Sequence, residues 1–411
     1  MAKIAFILLC HKNPQAIIEQ AQQLTAVGDY IAIHFDANAK PEDYKTIQQT
    51  LATNENVTFA KKRIKCSWGE WSLVQATLNA IEAACEAFPL ASHFYMLSGG
   101  CMAIKSARYV HQVLDDRDVD YIESFDFFES NWIKTGMKKD RLTYRHFFNE
   151  RSQKWLFYTS LEWQKRFGVS RKIPQDLKIK IGSQWWCLRR RTIEAILEFT
   201  KMRKDICRFF RTTWIPDETY FQTLVGHLIP SVEIQKDTLT FLVFSDYGMP
   251  ATFYNDHYDF LVSQDYLFAR KISGGATHLR EALGKLYAST QTDFQINTDG
   301  KKLYYFLTQA GRNGQRFSRR IWEQESQIGH AQRIGLIHKI AENTSTDRVL
   351  PSIRNQITQE NEAIEQSNFS NRFLFSETAS EEDKIKQLMG FCKLDQSTAA
   401  RIIETKWLFA D

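Results

Sequence analysis

The sequence predicts an α/β fold built on a mostly parallel central sheet, and three observations predict it. Ile4–Cys10 reads IAFILLC, a continuous apolar run closed by a charged turn, as expected of a strand buried on both faces. Apolar runs of this kind alternate with helix-periodic segments up to about residue 100, which is the signature of βαβ units joined by right-handed crossovers. The 411 residues are ample for a large core and favour two domains over one, and 43% hydrophobic content is ordinary for a globular chain.

The elements follow in order. NPQAIIEQAQQLTA has Asn13 as an expected cap, Pro14 at the first helical position, and Ile17, Ile18, Ala21 and Leu24 at helical spacing. YIAIHFD (30–36) is a second strand and NVTFA (56–60) a short third one. WSLVQATLNAIEAACEAF is a helix with Val74, Leu78, Ile81, Cys85 and Phe88 on one face. HFYMLSG (93–99) is another buried strand, ending in glycines. Ligands of parallel sheets bind at the carboxyl ends of the strands. His11, Asp36 and the Ser98, Gly99, Gly100 step stand at such ends and are expected to converge.

Further on, DYIESFDFF is expected as a strand, and TGMKKDRLTYRHFFNERSQKW as loop and irregular helix over the site. RRTIEAILEFT and DETYFQTLVGHL read as helices. After FARKISGGATHLREAL the chain becomes more polar and Gln-rich, with an Arg-rich GRNGQRFSRR and an acidic SETASEEDKIK. A boundary is placed near residue 285. It separates a domain over 1–284 from residues 285–411, read as an appended, mainly α or α+β domain or as a partly disordered extension.

Composition excludes several classes. The net charge of +5 is mild and does not suggest a nucleic-acid protein, although it suits weak peripheral contact with an anionic membrane. Seven widely spaced cysteines with no CxxC argue against a disulfide framework or a zinc site and favour a reducing compartment. The N-terminal apolar run is too short for a signal peptide, and no segment approaches a membrane span. A soluble, cytoplasmic chain is expected. No GxGxxG, P-loop or GxSxG occurs, so a dinucleotide cofactor, a P-loop nucleotide and a serine triad are disfavoured.

Three groups of residues suggest chemistry. In IPDETYFQTL, Pro216 stiffens a helix entry, Asp217 is expected to cap it, and Glu218 to occupy the first turn, where the dipole favours a carboxylate. This is either a plain acidic helix start or a general base for a hydroxyl, which attacks well only as its proton is removed. Arg270 and Lys271 in FARK are either a solvated charge pair or a clamp for a leaving diphosphate. In GSQWW, Ser183 and Gln184 precede Trp185 and Trp186. One indole is expected in the core and the other against a cleft, where it stacks on a sugar while the polar pair bonds its oxygens. SWGEWSL is similar: Gly69 beside Trp68 permits close backbone approach. The Asp-x-Asp candidates for a divalent ion, DVD (118–120) and DFFE, do not end a strand that faces this site.

The order of these segments resembles one family. ILLCHKNP, IHFD, WGEWSLVQATLNAI, YMLSGGCMAIKS, KIGSQWWCLRR, PDETYFQTL and LFARK occur in the sequence seen in the core-2/I-branching β-1,6-N-acetylglucosaminyltransferases, which include the peptide O-xylosyltransferases. The resemblance covers roughly residues 3 to 272. It implies a GT-A-like fold and an inverting, metal-independent transfer from a UDP-sugar, GlcNAc before xylose, to a glycan or glycolipid hydroxyl. It also implies that Glu218 is the base and that Arg270 and Lys271 hold the diphosphate, with Asp36 near the uracil. His11, Trp68, Gly69, Ser98 and Gly99 are expected on the donor side. Glu123, Ser183, Gln184, Trp185 and Asp217 are expected around the transferred sugar or the acceptor. No cofactor or metal is expected. The tail resembles an extension on some bacterial members and is a candidate partner-binding segment. The sequence departs from the family where Cys101 replaces a usual Asp and Ala103 a usual Pro. That departure supports a rival reading, a non-catalytic glycan-binding or scaffold protein.

Overall fold

The computed structural model describes residues 2–133, 136–243 and 250–298. The expected domain over 285–411 therefore lies mostly outside the described residues.

The chain begins with strand β1 (Ile4–Cys10), helix α1 (Pro14–Thr25), β2 (Tyr30–Phe35), α2 (Pro41–Leu51), β3 (Val57–Phe59), α3 (Trp71–Ala87) and β4 (His93–Ser98). It continues through β5 (Met102–Ala103), α4 (Ala107–Asp115), β6 (Asp120–Tyr121), β7 (Phe125–Asp126), α5 (Asp140–Thr143), α6 (Lys154–Arg166), β8 (Lys180–Ile181) and β9 (Cys187–Arg189). Then follow α7 (Arg190–Met202), α8 (Lys204–Arg211), α9 (Tyr220–Leu228), β10 (Ile234–Gln235), β11 (Thr240–Phe241), α10 (Tyr258–Val262), β12 (Phe268–Ala269) and α11 (Thr277–Ala288).

Seven strands form the main sheet in the order β10-β6-β9-β4-β1-β2-β3. The pairs β1 with β2, β1 with β4 and β2 with β3 are parallel, while β9 runs antiparallel to both β4 and β6. The sheet is thus mostly parallel, as the unbroken apolar runs of β1, β2 and β4 required. Every residue of β1 except Leu9 is buried. On α3, Val74, Leu78 and Ile81 face the core, as their spacing predicts.

A second sheet, β11-β12-β5, carries the start of the FARK stretch. Rings of Phe6, Tyr95, Phe268 and Tyr287 meet at centroid distances of 4.6 to 6.4 Å and clamp β12 and α11 onto β1 and β4. Each such ring pair adds roughly 0.5–1.5 kcal/mol beyond simple burial. Tyr287 also donates to the buried Asp29 carboxylate at 2.8 Å, which His111 and the Ile4 N–H share. The boundary expected near 285 therefore falls inside α11, whose Leu279, Leu283 and Tyr287 are buried against the first domain.

Local expectations also shift. Asn13 does not cap α1: it adopts a left-handed conformation, φ 56°, with no side-chain bond to the helix. DYIESFDFF is two short strands, β6 and β7, because the chain leaves the main sheet at residues 122–124 to pair with β8.

Candidate functional site

Strands β1, β2 and β4 are adjacent and parallel, so His11, Asp36 and Ser98 reach the same edge of the sheet. The Asp36 carboxylate accepts the N–H groups of Asn38 at 2.8 Å and Cys66 at 3.1 Å, tying β2 to the loop that leads to Trp68. His11 feels the charges of both Asp36 and Lys271, and burial with neighbouring Lys12 pushes its pKa below the usual histidine value. Gly99 packs on Ile17 of α1, and the Gly100 carbonyl accepts the Ile272 N–H at 2.8 Å. The strand end therefore lies directly against Arg270 and Lys271.

Arg270 leaves β12 and lies over the indole of Trp185, 4.1 Å from ring centroid to guanidinium carbon. Both tryptophans are core residues: Trp185 is 2% exposed and Trp186, packed on Phe221, is 1% exposed. The expectation that one indole faces the cleft is corrected. Trp185 serves as a base plate that Arg270 covers, and a cation over an indole gains more as the pair is shielded from water. Arg270 hydrogen-bonds the Cys101 thiol, and burial lowers its pKa. Its Nε is buried with no partner among the described residues. Cys101, fully buried, also takes up the Ser98 N–H and hydroxyl at 3.4 and 3.3 Å. At this point a thiol, not a carboxylate, stands against the cation.

The acidic side is built on an irregular turn. Ile215 has φ 54°, a left-handed conformation that costs a β-branched residue roughly 1–3 kcal/mol. Its N–H donates to the Gly69 carbonyl at 2.9 Å, and Gly69 itself needs φ +74°. Residues Pro216–Glu218 form a single 3-10 turn, and α9 starts only at Tyr220. Asp217 is therefore not a helix cap, and Glu218 stands before the helix rather than in its first turn. The strained Ile215 explains the difference, since it turns the chain too sharply for α9 to begin at Asp217.

Glu218 is partly exposed, and Arg141 donates to its Oε2 at 3.1 Å. The Arg141 guanidinium lies 4.9 Å over Trp214, whose ring meets Trp68 edge-on at 6.2 Å. Asp217 keeps some surface, but its Oδ1 is buried with no partner among the described residues. Burial, and then the charge of Glu218, raise its pKa to about 7. Ser183 is buried, and its hydroxyl has no partner among the described residues either. Gln184 is half-buried beside it.

Two expected contacts change character. Glu123 is 1% exposed and accepts the Ser183 N–H at 3.2 Å, so it holds the turn from below and does not reach an acceptor. A Cβ on Gly182 would come within 2.0 Å of the Glu123 carbonyl oxygen, and this close packing is what sinks the carboxylate. Trp68 is 40% exposed under Arg151, and with Gly69 it contacts Trp214 and Ile215. Both stand beside the Glu218 turn, although the same loop reaches Asp36 through Cys66.

The pieces are joined by one short segment, residues 182–185. The Gly182 N–H donates to the Glu218 carbonyl at 3.0 Å, and Trp185 carries Arg270. Three residue steps span at most ~11 Å, so the backbone of Glu218 and the guanidinium of Arg270 attach to the two ends of one turn. Buried polar atoms are nearly always hydrogen-bonded. Ser183 Oγ on this turn, and Asp217 Oδ1 and Arg270 Nε near its ends, are buried with no partner among the described residues. Sequence reasoning missed Arg141, Trp214 and Arg151. Trp214 adjoins the PDE step, but nothing in the basic stretch around Arg141 singled it out. The DVD acids are otherwise engaged: Arg189 bonds Asp120 at 2.7 Å and Arg191 bonds Asp118 at 2.6 Å.

Residues 4–259 match the family described as Core-2/I-Branching enzyme, which is more than half of the chain. The chain belongs to that family. Residues 270–329 and 327–411 match a family of unknown function, DUF5928. A human relative described as probable beta-1,3-galactosyl-O-glycosyl-glycoprotein beta-1,6-N-acetylglucosaminyltransferase 7 is 24% identical over 54% of this chain and 49% of its own length. The corresponding enzyme 3 of Bos taurus is 23% identical over 54% of this chain and 46% of its own. The chain spans about half the length of these relatives. Among solved structures, the mannosyltransferase Ktr4p of S. cerevisiae, in complex with GDP, aligns at 12% identity and TM-score 0.28 over 54% of this chain and 66% of its own. That likeness is too distant to carry an argument.

Proposed function

We propose that the chain is an inverting glycosyltransferase that moves a sugar, GlcNAc in the first instance, from a UDP-sugar to a glycan hydroxyl. One observation carries the reading: the backbone of Glu218, whose carboxylate is partly exposed, and the half-buried guanidinium of Arg270, which has no carboxylate partner among the described residues, attach to the two ends of residues 182–185. The acceptor hydroxyl sits between Glu218 and the anomeric carbon. As its oxygen bonds that carbon, Glu218 takes its proton and the bond to the UDP oxygen breaks on the opposite face. Arg270 and Lys271 stabilise the charge that grows on the departing diphosphate, the role a divalent ion plays elsewhere. Asp217, with a pKa of about 7, is in good part protonated at neutral pH and donates a hydrogen bond to a sugar oxygen.

The GlcNAc assignment draws support from the named activities of the human and bovine relatives, and xylose is the alternative donor. The arginines that engage Asp118 and Asp120 support a metal-free reaction. A screen that measures UDP release from UDP-GlcNAc, UDP-xylose and other UDP-sugars tests the assignment. Release from UDP-GlcNAc alone is expected. No release from any donor, with no UDP binding by calorimetry, favours a scaffold.

A further inference from the structure

Helix α6 has two apolar sides. Phe157 and Leu161 are buried, and the Phe157 ring stacks on His146 and meets Trp214 at 5.7 Å. The other side is exposed: Trp155 at 72%, Trp163 at 63% and Phe167 at 66%, with Phe147 and Val169 beside them. From Trp155 to Phe167 this stripe runs about 18 Å along the helix. Such a patch on a soluble surface marks an interaction site.

Charge identifies the occupant. Residues 145–172 hold seven Lys and Arg against two Glu, a surplus equal to the net charge of the whole chain, so the remainder is balanced. Arg145, Arg151, Lys154, Lys165, Arg166 and Lys172 are all exposed. Tryptophan and phenylalanine flanked by Lys and Arg on a surface helix is the pattern that settles at a headgroup boundary. Basic residues there are attracted to anionic lipid.

We propose that the outer face of α6 docks the protein on an anionic phospholipid bilayer. Docking on that face would leave the Glu218 turn behind α6, because the inner face of α6 touches Trp214, over which Arg141 lies. The docking itself does not depend on which sugar is transferred.

The test is co-sedimentation of the full chain with phosphatidylcholine vesicles, with and without about a third phosphatidylglycerol. The wild type is expected to partition onto the anionic vesicles alone and to be released by high salt. Trp155→Ser with Trp163→Ser, and separately Lys154→Gln with Arg166→Gln, are each expected to weaken partition by about tenfold or more. Their melting temperatures and far-UV spectra should match the wild type. Failure of the wild type to bind anionic vesicles overturns the proposal, as does equal binding by the folded variants. A dimer in solution that the Trp pair dissociates, without vesicle binding, assigns the face to a second copy instead.

Discussion

Arg270→Met isolates the donor clamp. The half-buried guanidinium lies on Trp185 and bonds the Cys101 thiol, and its Nε has no partner among the described residues. A diphosphate would supply the charge-assisted bonds this cation lacks. Removing one partner of such a pair costs about 2–4 kcal/mol, or roughly 30- to 1000-fold in affinity. Methionine refills most of the space, so little cavity cost arises. Because it also removes a half-buried charge with no carboxylate partner among the described residues, the fold should melt at the same temperature or higher. Titration calorimetry with UDP and with uridine separates the terms. UDP affinity should fall by that factor while uridine affinity stays within about threefold. Equal UDP binding by wild type and variant would refute the clamp. A collapse in melting temperature would show that Arg270 holds the fold.

Four further outcomes are expected. Glu218→Gln should bind UDP as the wild type does while transfer slows by about 10²- to 10⁴-fold; near-normal turnover removes the base. EDTA should leave UDP release unchanged, and a Mn²⁺ requirement would mean that the two cations are not sufficient. The Asp217 carboxyl is raised to about 7, so the folded chain holds this proton more tightly than the unfolded one. Its stabilising contribution, at most ~4 kcal/mol, is complete below about pH 4 and lost as pH rises through about 7. The wild type should lose more melting temperature between pH 5 and pH 8 than Asp217→Asn does; parallel profiles contradict the assignment. Gly182→Ala would drive a Cβ to 2.0 Å from the Glu123 carbonyl oxygen, which is backbone and cannot swing away. A loss of about 3 kcal/mol in urea unfolding is expected, and a change under ~0.5 kcal/mol would contradict that packing.

Much of the frame was legible in the residues. β1, β2 and β4 are buried on both faces, and such strands announce themselves as unbroken apolar runs. α1 and α3 bury one stripe each and show it at helical spacing. α2 escaped notice because only Ile47 and Leu51 of its eleven residues are buried, too few for a periodic signal. The strand ends at His11, Asp36 and Ser98 were expected to converge, and the parallel order β4-β1-β2 brings them to one edge.

By itself, the order of motifs along the chain determined the fold class, the family and which side chains deserve attention, because these depend on local pattern. Only the tertiary structure decided what those side chains do to one another. It sank Glu123 and both tryptophans, drew Arg141 to Glu218, and set Arg270 against a thiol on an indole plate. Such outcomes depend on how segments far apart in the chain exclude water from one another. The spacing of residues along a strand or helix carries no record of that.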